Sequence, residues 1–430
     1  MPARGDVLRL DVEKAAAGGR MLARHDGQVV LVSGAIPGER IAARVERVQG
    51  GVIFAGIDAV DVASPDRREA GADPACGGAD YAHIAYERQV SLKRDVLRDA
   101  FGRIGKLPLD ENLPTHTSPE RGYRMRARLH VQGSQIGFYR EGSRELCDPA
   151  ATGQLLDSTI LALAGLSRTL SQSGLTSALS VDLAENAPAS ERALWIDLRL
   201  APDGQDRWDS LLAADATSVA VAVDGHLIVH RGEPVVHDEI TIAPASGDPV
   251  TLRLQRHAGA FFQGNRFLLQ TLVDRVLAHV PEGPVIDLYA GGGLFGLACA
   301  AAGRGPVELV ESDRLAVHDL RANASARGGT ARVRAMSVEE YLSGSPALAG
   351  RTLLLDPPRT GLSRDAGTKL AGSDATRIVY VSCDPATLAR DARRLVDADY
   401  RLSAVEVFDL FPTTAHVETL AVFDRDAPAR

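Results

Sequence analysis

The feature that most constrains this chain lies in its C-terminal half, where short apolar runs alternate with helical stretches. From about residue 261, FFQGNRFLLQTLVDRVLAHV reads as a helix. PVIDLYA, PVELVES, ARVRAM, TLLLDPP, RIVYVSC, VEVFDLF and ETLAVF then follow as buried strands. Continuously apolar strands need cover on both faces, so this pattern predicts an α/β, doubly wound, mostly parallel sheet. The chain has 430 residues. At roughly 150 residues per domain that length predicts two or three domains.

The front of the chain obeys a different rule. VLRLDVEKA, QVVLVSG, ERIAARVERV and GVIFAGIDAV are short strands separated by glycine turns, which predicts a small barrel or sandwich over residues 1–64. Residues 65–255 mix both periods and read as a central α+β region, with a helix from about Tyr81 to Gly102. A hairpin follows, YRMRARLHV turning into IGFYREGSREL. Residues 256–430 make up the doubly wound domain.

A net charge of −8 argues against a protein that coats nucleic acid indiscriminately, without excluding a local basic face. No apolar run approaches the ~20 residues of a membrane-spanning helix, and the start, MPARGDVLRLDVEK, lacks an apolar leader. Four cysteines are too few for a secreted disulfide scaffold. These features predict a soluble cytoplasmic protein in a reducing compartment, with no membrane partner. Cys299, in an apolar helix, is expected in the core.

The first βα turn, VIDLYAGGGLFG, contains Gly291, Gly293 and Gly296 in a G-x-G-x-x-G pattern, followed by Glu311 at the end of the second strand. Glycines let a ligand approach the backbone closely at a helix N-terminus. The pattern fits NAD and S-adenosylmethionine equally, and a tight turn without a ligand is the bland alternative. Two later segments narrow the choice. DPPRTG ends the fourth strand in a proline pair that leaves Asp356 facing the cleft. The arginine after the prolines, Arg359, disfavours the exocyclic-amine chemistry in which an aromatic follows. The fifth strand, RIVYVSC, then delivers Cys383 at its carboxyl tip, where open α/β sheets bind ligands. Most single cysteines are small buried hydrophobes; this placement favours a nucleophile. Glu418 opens the closing strand, and His416 precedes it.

These segments resemble the RNA (uracil-5-)-methyltransferase family. The matching stretches are FFQGN, DLYAGGGLFGL, DPPRTGL, YVSCDPATLARD and FDLFPTTAHVE. The front resembles a TRAM domain, an OB-like barrel, through GAIPGE, and CGGADYAHIAYERQVSLKRDVL resembles the segment that follows it in 23S rRNA enzymes. The resemblance implies a Rossmann-like S-adenosylmethionine methyltransferase domain and formation of 5-methyluridine in RNA. It implies 23S rRNA as substrate first, with tRNA or a non-catalytic RNA-binding role as alternatives. It implies Cys383 as nucleophile and Glu418 as general base. Gln263, Tyr289 and Asp356 would contact S-adenosylmethionine beside Gly291, Gly293 and Glu311, and no metal is needed. The barrel and central region would hold RNA, with Arg124, Arg126 and Arg128 alternating on one face of the hairpin and Phe138 on its partner strand. A monomer is expected.

Three departures stand out. Asp384 replaces the usual asparagine after the cysteine, and Thr413 replaces the usual glutamine after Phe-Pro. Relatives with a CGGC segment hold a [4Fe–4S] cluster on four cysteines. Here Cys76 and Cys147 alone remain of that motif, with Ala79 at a third position. Asp73, Asp80 and His83 are the substitute ligands within reach. No cluster is expected.

Overall fold

The computed structural model describes residues 2–244, 247–329 and 331–425. Five strands open the chain: β1 (Val7–Ala15), β2 (Met21–His25), β3 (Gln28–Ser33), β4 (Arg40–Gln49) and β5 (Val52–Val62). They close into a barrel in the order β1-β2-β3-β5-β4. Alternate residues such as Leu8, Leu10 and Val12 point inward and are buried. Strand β2 was not legible in sequence, because Arg24 and His25 interrupt its short apolar pattern.

Helix α1 (Tyr86–Ala100) follows and continues as a π-helical turn over Phe101–Gly105. It begins five residues later than the sequence suggests, since Tyr81–Ile84 form turns instead. Strand β6 (Thr115–His116) comes next, then β7 (Arg126–Gln132), β8 (Gln135–Tyr139) and β9 (Leu146–Cys147). Helix α2 (Asp157–Gln172) precedes β10 (Ala178–Glu185), β11 (Arg192–Leu198), α3 (Gln205–Leu212), β12 (Ser218–Val223) and β13 (His226–Arg231). Seven of these strands form one sheet, ordered β13-β12-β11-β10-β7-β8-β9. Leu163, Leu166 and Leu170 of α2 pack on it beside Val181, Leu183 and Ile196.

A two-stranded unit, β14 (Val235–Ile242) and β15 (Val250–His257), leads into α4 (Leu269–His279). Residues 261–264 are not helical, contrary to expectation. Phe262 and Gln263 are instead buried in an extended segment that feeds the cleft. The doubly wound portion then runs β16 (Val285–Leu288), α5 (Leu294–Ala301), β17 (Val307–Glu311), α6 (Arg314–Ala326), β18 (Ala331–Ala335), α7 (Val338–Ser343), β19 (Thr352–Leu355), α8 (Arg364–Ala371), β20 (Arg377–Ser382), α9 (Pro385–Val396), β21 (Arg401–Phe408) and β22 (Glu418–Asp424).

The eight-stranded sheet has the order β18-β17-β16-β19-β20-β22-β21-β6. Strands β16 to β20 are parallel and β22 runs antiparallel between β20 and β21. Its outer strand, β6, comes from the front of the chain. Apolar side chains cover both faces. On one, Leu272, Val276, Leu297 and Leu309 cluster with Ile240 and Leu252 of the β14–β15 pair. On the other, Leu353, Ile378 and Leu388 pack with Leu97 and Phe101 of the α1 segment. Cys299 is fully buried.

Candidate active site

The site forms where β16, β17, β19 and β20 end. After β16 the backbone turns through Tyr289, Gly291 and Gly293, with φ of +66°, +56° and +95°. Gly296 lies where any Cβ would press on Leu309 and come 2.8 Å from the Asp287 carboxylate, so α5 packs directly on the sheet. Asp287 accepts a hydrogen bond from the Gly296 amide at 2.8 Å through one oxygen, and the other has no partner. Burial, with help from Asp356 and Glu311, pushes the Asp287 carboxyl up to about 8. Glu311 spans the turn, accepting from the Gly291 amide at 2.8 Å and from the Ser312 and Asp313 amides at 2.7 Å.

Asp356 follows β19 and accepts from Gln263 Nε2 at 3.0 Å. Burial, followed by Glu311, raises its carboxyl to about 7. The structure therefore joins Gln263 to Asp356 at the end of β19, and Glu311 at the end of β17 to the turn after β16 that holds Tyr289, Gly291 and Gly293. Glu311 raises both Asp356 and Asp287, as a nearby like charge does. This donor set complements a ligand that carries an ammonium and a sulfonium, beside a ribose whose hydroxyls Glu311 would accept. S-adenosylmethionine has these groups.

Cys383 stands between β20 and α9 and is half-buried. A cavity of about 190 Å³ reaches it, walled by Gly18 of the barrel, Asp80, Arg359 and His416. Asp384 caps α9, its carboxylate accepting from the Thr387 amide at 2.8 Å. Asparagine caps equally well, so the departure at 384 preserves the local fold. Burial pushes the Cys383 thiol up to about 12, Glu418 adding to this and Arg359 opposing it. Glu418 is 4% exposed. Burial and then Asp356 hold its carboxyl well above the usual carboxylate range, again against Arg359. Strands β20 and β22 pair with Ser382 opposite Thr419, so Cys383 and Glu418 are the next residues outward on neighbouring strands. Arg359 also donates from Nη2 to His416 Nε2 at 3.2 Å. Sequence reasoning used Arg359 only to exclude amine chemistry; its central position needed the structure.

A second cavity, of about 320 Å³, shares Arg359 and His416 and is walled by Arg124, Arg126, Arg128, His130, Phe138 and Tyr139. The three arginines do meet there, with differences from the expected exposed strand face. Arg124 precedes β7 and is spent internally, donating to Gln154 Oε1 at 2.6 Å and to the Arg126 carbonyl at 2.9 Å. Arg126 donates to the Ala260 carbonyl at 2.8 Å, and Arg128 forks onto Asp182 at 3.1 and 2.8 Å. Phe138 is 6% exposed and lies beneath the Arg124 guanidinium, so its ring is core rather than an open platform. His130 and Tyr139 stack at 3.7 Å in its stead.

The cysteine remnant holds a correction. Cys76 and Cys147 are joined in a disulfide, where the sequence reading expected a reducing setting and took the two as remnants of a cluster motif. No thiolate is thus offered to a metal. Two of the three substitute ligands are also engaged: Asp73 pairs with Arg140, and His83 Nε2 faces the Ala35 carbonyl at 3.1 Å, while Asp80 lines the Cys383 cavity. Among the described residues no group of three or more His, Cys, Asp or Glu side chains is arranged to hold a metal ion.

Sequence reasoning missed a second layer behind the site. Lys93 Nζ donates to Asp409 Oδ1 at 2.5 Å and to the Phe411 carbonyl at 2.9 Å, with both charged side chains 1% exposed. Gln89, one helical turn earlier on α1, accepts from the Thr413 amide at 2.9 Å. Gln89, Lys93 and Leu97 recur at helical spacing on the buried face of α1, and polar residues on such a stripe are the signal that was available.

Comparison with known proteins agrees with this architecture. Residues 250–426 match the tRNA (Uracil-5-)-methyltransferase family model, and residues 3–57 match the TRAM domain. The chain is 32% identical to 23S rRNA (uracil(1939)-C(5))-methyltransferase RlmD of Pseudomonas putida, over 98% of this chain and 94% of that one. It is 35% identical to the RlmD protein of Alkalilimnicola ehrlichii, over 95% and 94% of the two chains. Pyrococcus abyssi tRNA (uracil-54, C5)-methyltransferase, solved with S-adenosyl-L-homocysteine, shares the fold with a TM-score of 0.72 at 23% identity, covering 97% of this chain and 100% of that one. Barrel, doubly wound sheet and glycine turn define an S-adenosylmethionine-dependent methyltransferase with a TRAM domain. The chain belongs to the RNA uracil-C5 methyltransferase family, and its substrate is RNA. The nicotinamide reading of the glycine turn is thereby set aside. No helix among the described residues is long and apolar enough to cross a membrane.

Proposed function

We propose that this enzyme forms 5-methyluridine in 23S rRNA, with Cys383 as nucleophile and Glu418 as base. The observation that carries the reading is that Cys383 directly follows β20 at the point where the paired strand β22 opens with Glu418, with Asp356 near enough to raise both groups. Carbon 5 of uracil is too poor a nucleophile to take an alkyl group unaided. Addition of the Cys383 thiolate to carbon 6 makes carbon 5 an enolate carbon. S-adenosylmethionine, when bound, would supply an electrophilic methyl group, which carbon 5 takes as the bond to sulfur breaks, leaving S-adenosylhomocysteine. Gln263, Tyr289, Gly291, Gly293, Glu311 and Asp356 would hold the donor with that group toward the cleft. Glu418 then takes the proton from carbon 5, the C5–C6 double bond re-forms, and the C6–S bond breaks to return the thiolate. Arg359 favours the ionised form of both groups, and the target base must leave its stack to reach them.

The 23S rRNA assignment rests on the named relatives and on the TRAM barrel. We assign RNA contact to the barrel, residues 1–64, and to the wall formed by Arg124, Arg126, Arg128 and Phe138 within residues 65–255. Methyl transfer is assigned to residues 256–430. The buried state of Phe138 makes its part indirect, through Arg124. We also infer a monomer working in the cytoplasm.

The test uses RNA containing 5-fluorouridine, whose fluorine cannot depart as a proton does. With S-adenosylmethionine, the wild type should form a stable covalent adduct and Cys383→Ala none; an adduct in Cys383→Ala would remove the nucleophile assignment. On ordinary RNA, Glu418→Gln should accumulate the adduct that wild type resolves. Mapping 5-methyluridine in total RNA with and without the gene fixes the target, and loss from tRNA alone would overturn the rRNA assignment.

A further inference from the structure

Strands β21 and β22 form a hairpin whose last pair is Phe408 with Glu418. Residues 409–417 are therefore the turn that presents the proposed base. This turn is not held by its own strands alone. Lys93 binds it at Asp409 and at the Phe411 carbonyl, and Gln89 accepts from the Thr413 amide. Thr413 has φ +62°, a conformation a β-branched residue avoids unless its surroundings impose it. Those surroundings are the Gln89 contact, a hydrogen bond from the Tyr81 amide to the Thr413 carbonyl at 2.8 Å, and one from Thr413 Oγ1 to the Gly78 carbonyl at 3.0 Å. Cys383, by contrast, is placed by β20 and by the Asp384 cap of α9.

From this juxtaposition we propose that Gln89 and Lys93 are positioning residues for proton removal: they fix the 409–417 turn so that Glu418 meets carbon 5, while Cys383, which neither of them bonds, takes its position from the end of β20 and the Asp384 cap of α9. The proposal rests on Glu418 being the base. It makes the helix after the barrel part of the apparatus that sets the base. A charge pair buried this deeply is costly to desolvate and contributes little net stability, so geometric registry is the role that accounts for it.

The test separates two rates at saturating RNA and S-adenosylmethionine. Adduct formation on 5-fluorouridine RNA reports attack and methyl transfer. Decay of the methylated adduct on ordinary RNA reports proton removal and elimination. In Gln89→Ala, and in the paired Lys93→Met/Asp409→Leu variant that removes both buried charges, decay should slow by about tenfold or more while formation stays within about twofold of wild type. Parallel loss of both rates, or unchanged decay, would overturn the proposal in favour of a purely structural role. Should the paired variant fail to fold, Gln89→Ala carries the same requirement alone. If wild type itself forms no adduct, the failure lies in the nucleophile assignment, and the positioning proposal falls with it.

Discussion

Cys383 illustrates how a single residue is set by its surroundings. Its thiol is pushed up to about 12, chiefly by burial, so little thiolate exists in the resting enzyme at neutral pH. The thiolate fraction, and with it nucleophilicity, should rise about tenfold per pH unit below that value. Alkylation by iodoacetamide, followed at the Cys383 peptide by mass spectrometry, is expected to accelerate from pH 7 to 10 with a log-slope near ~1. A plateau below pH 9 would show a thiol far more acidic than this environment allows. Cys299 is fully buried and should stay unlabelled. At this scale the sequence singled out Cys383, Glu418 and Asp356, far apart in the chain, and the fold sets them near enough to shift one another. It was silent about the Lys93–Asp409 pair, because partners 316 residues apart share no local pattern. Phe138 misled for a related reason: a strand aromatic looks the same in sequence whether its ring faces water or core.

Elements were legible in proportion to their periodicity. The apolar strands of the large sheet declared themselves, whereas FFQG was absorbed into the helix that follows it because its apolar residues fit both periods. Strand β6, two residues long, has no periodicity at all, yet its neighbourhood is among the most tightly bonded. Glu406 of β21 accepts from Arg275 at 2.9 and 2.7 Å, and meets Nε2 of His279 at 2.7 Å and of His116 at 2.9 Å. One carboxylate thus ties α4, β21 and β6. Burial alone would raise its carboxyl, but the hydrogen bonds from His279, Arg275 and His116 outweigh it and hold the group well below the usual carboxylate range. A depressed carboxyl stabilises the fold above its unfolded-state value of about 4.3 and loses that contribution as pH falls toward the folded-state value. Glu406→Gln should lower unfolding free energy at pH 7 by about 1–3 kcal/mol in urea titration, with the deficit shrinking in acid. An equal deficit at pH 7 and pH 3 would mean the charge plays no part.

For the whole molecule, the disulfide changes what the composition suggested. Cys76 and Cys147 are 71 residues apart, and they tie the segment after the barrel to the far edge of the central sheet. Closing a loop of that length restricts the unfolded chain by up to about 4 kcal/mol in the chain-entropy view. Calorimetry should show a lower Tm for the reduced protein and for Cys76→Ser/Cys147→Ser than for the oxidised wild type. Identical melting would leave the cross-link without energetic weight. Four cysteines in a chain of this size gave no warning of it, since two were spoken for by other readings and spacing alone does not report proximity.

Strand β6 also bears on how such an enzyme is inherited. A sheet that borrows its last rung from residues 115–116, well ahead of its other strands, has no clean seam at which to be severed. A fragment starting at residue 256 would bare a row of unpaired backbone groups along β21 and strip the apolar cover that Leu97 and Phe101 provide. Such a piece would be sticky before it was active. Fusion, shuffling or gene splitting must therefore keep residues 86–116 with the doubly wound sheet, and the two stretches are bound to evolve as one.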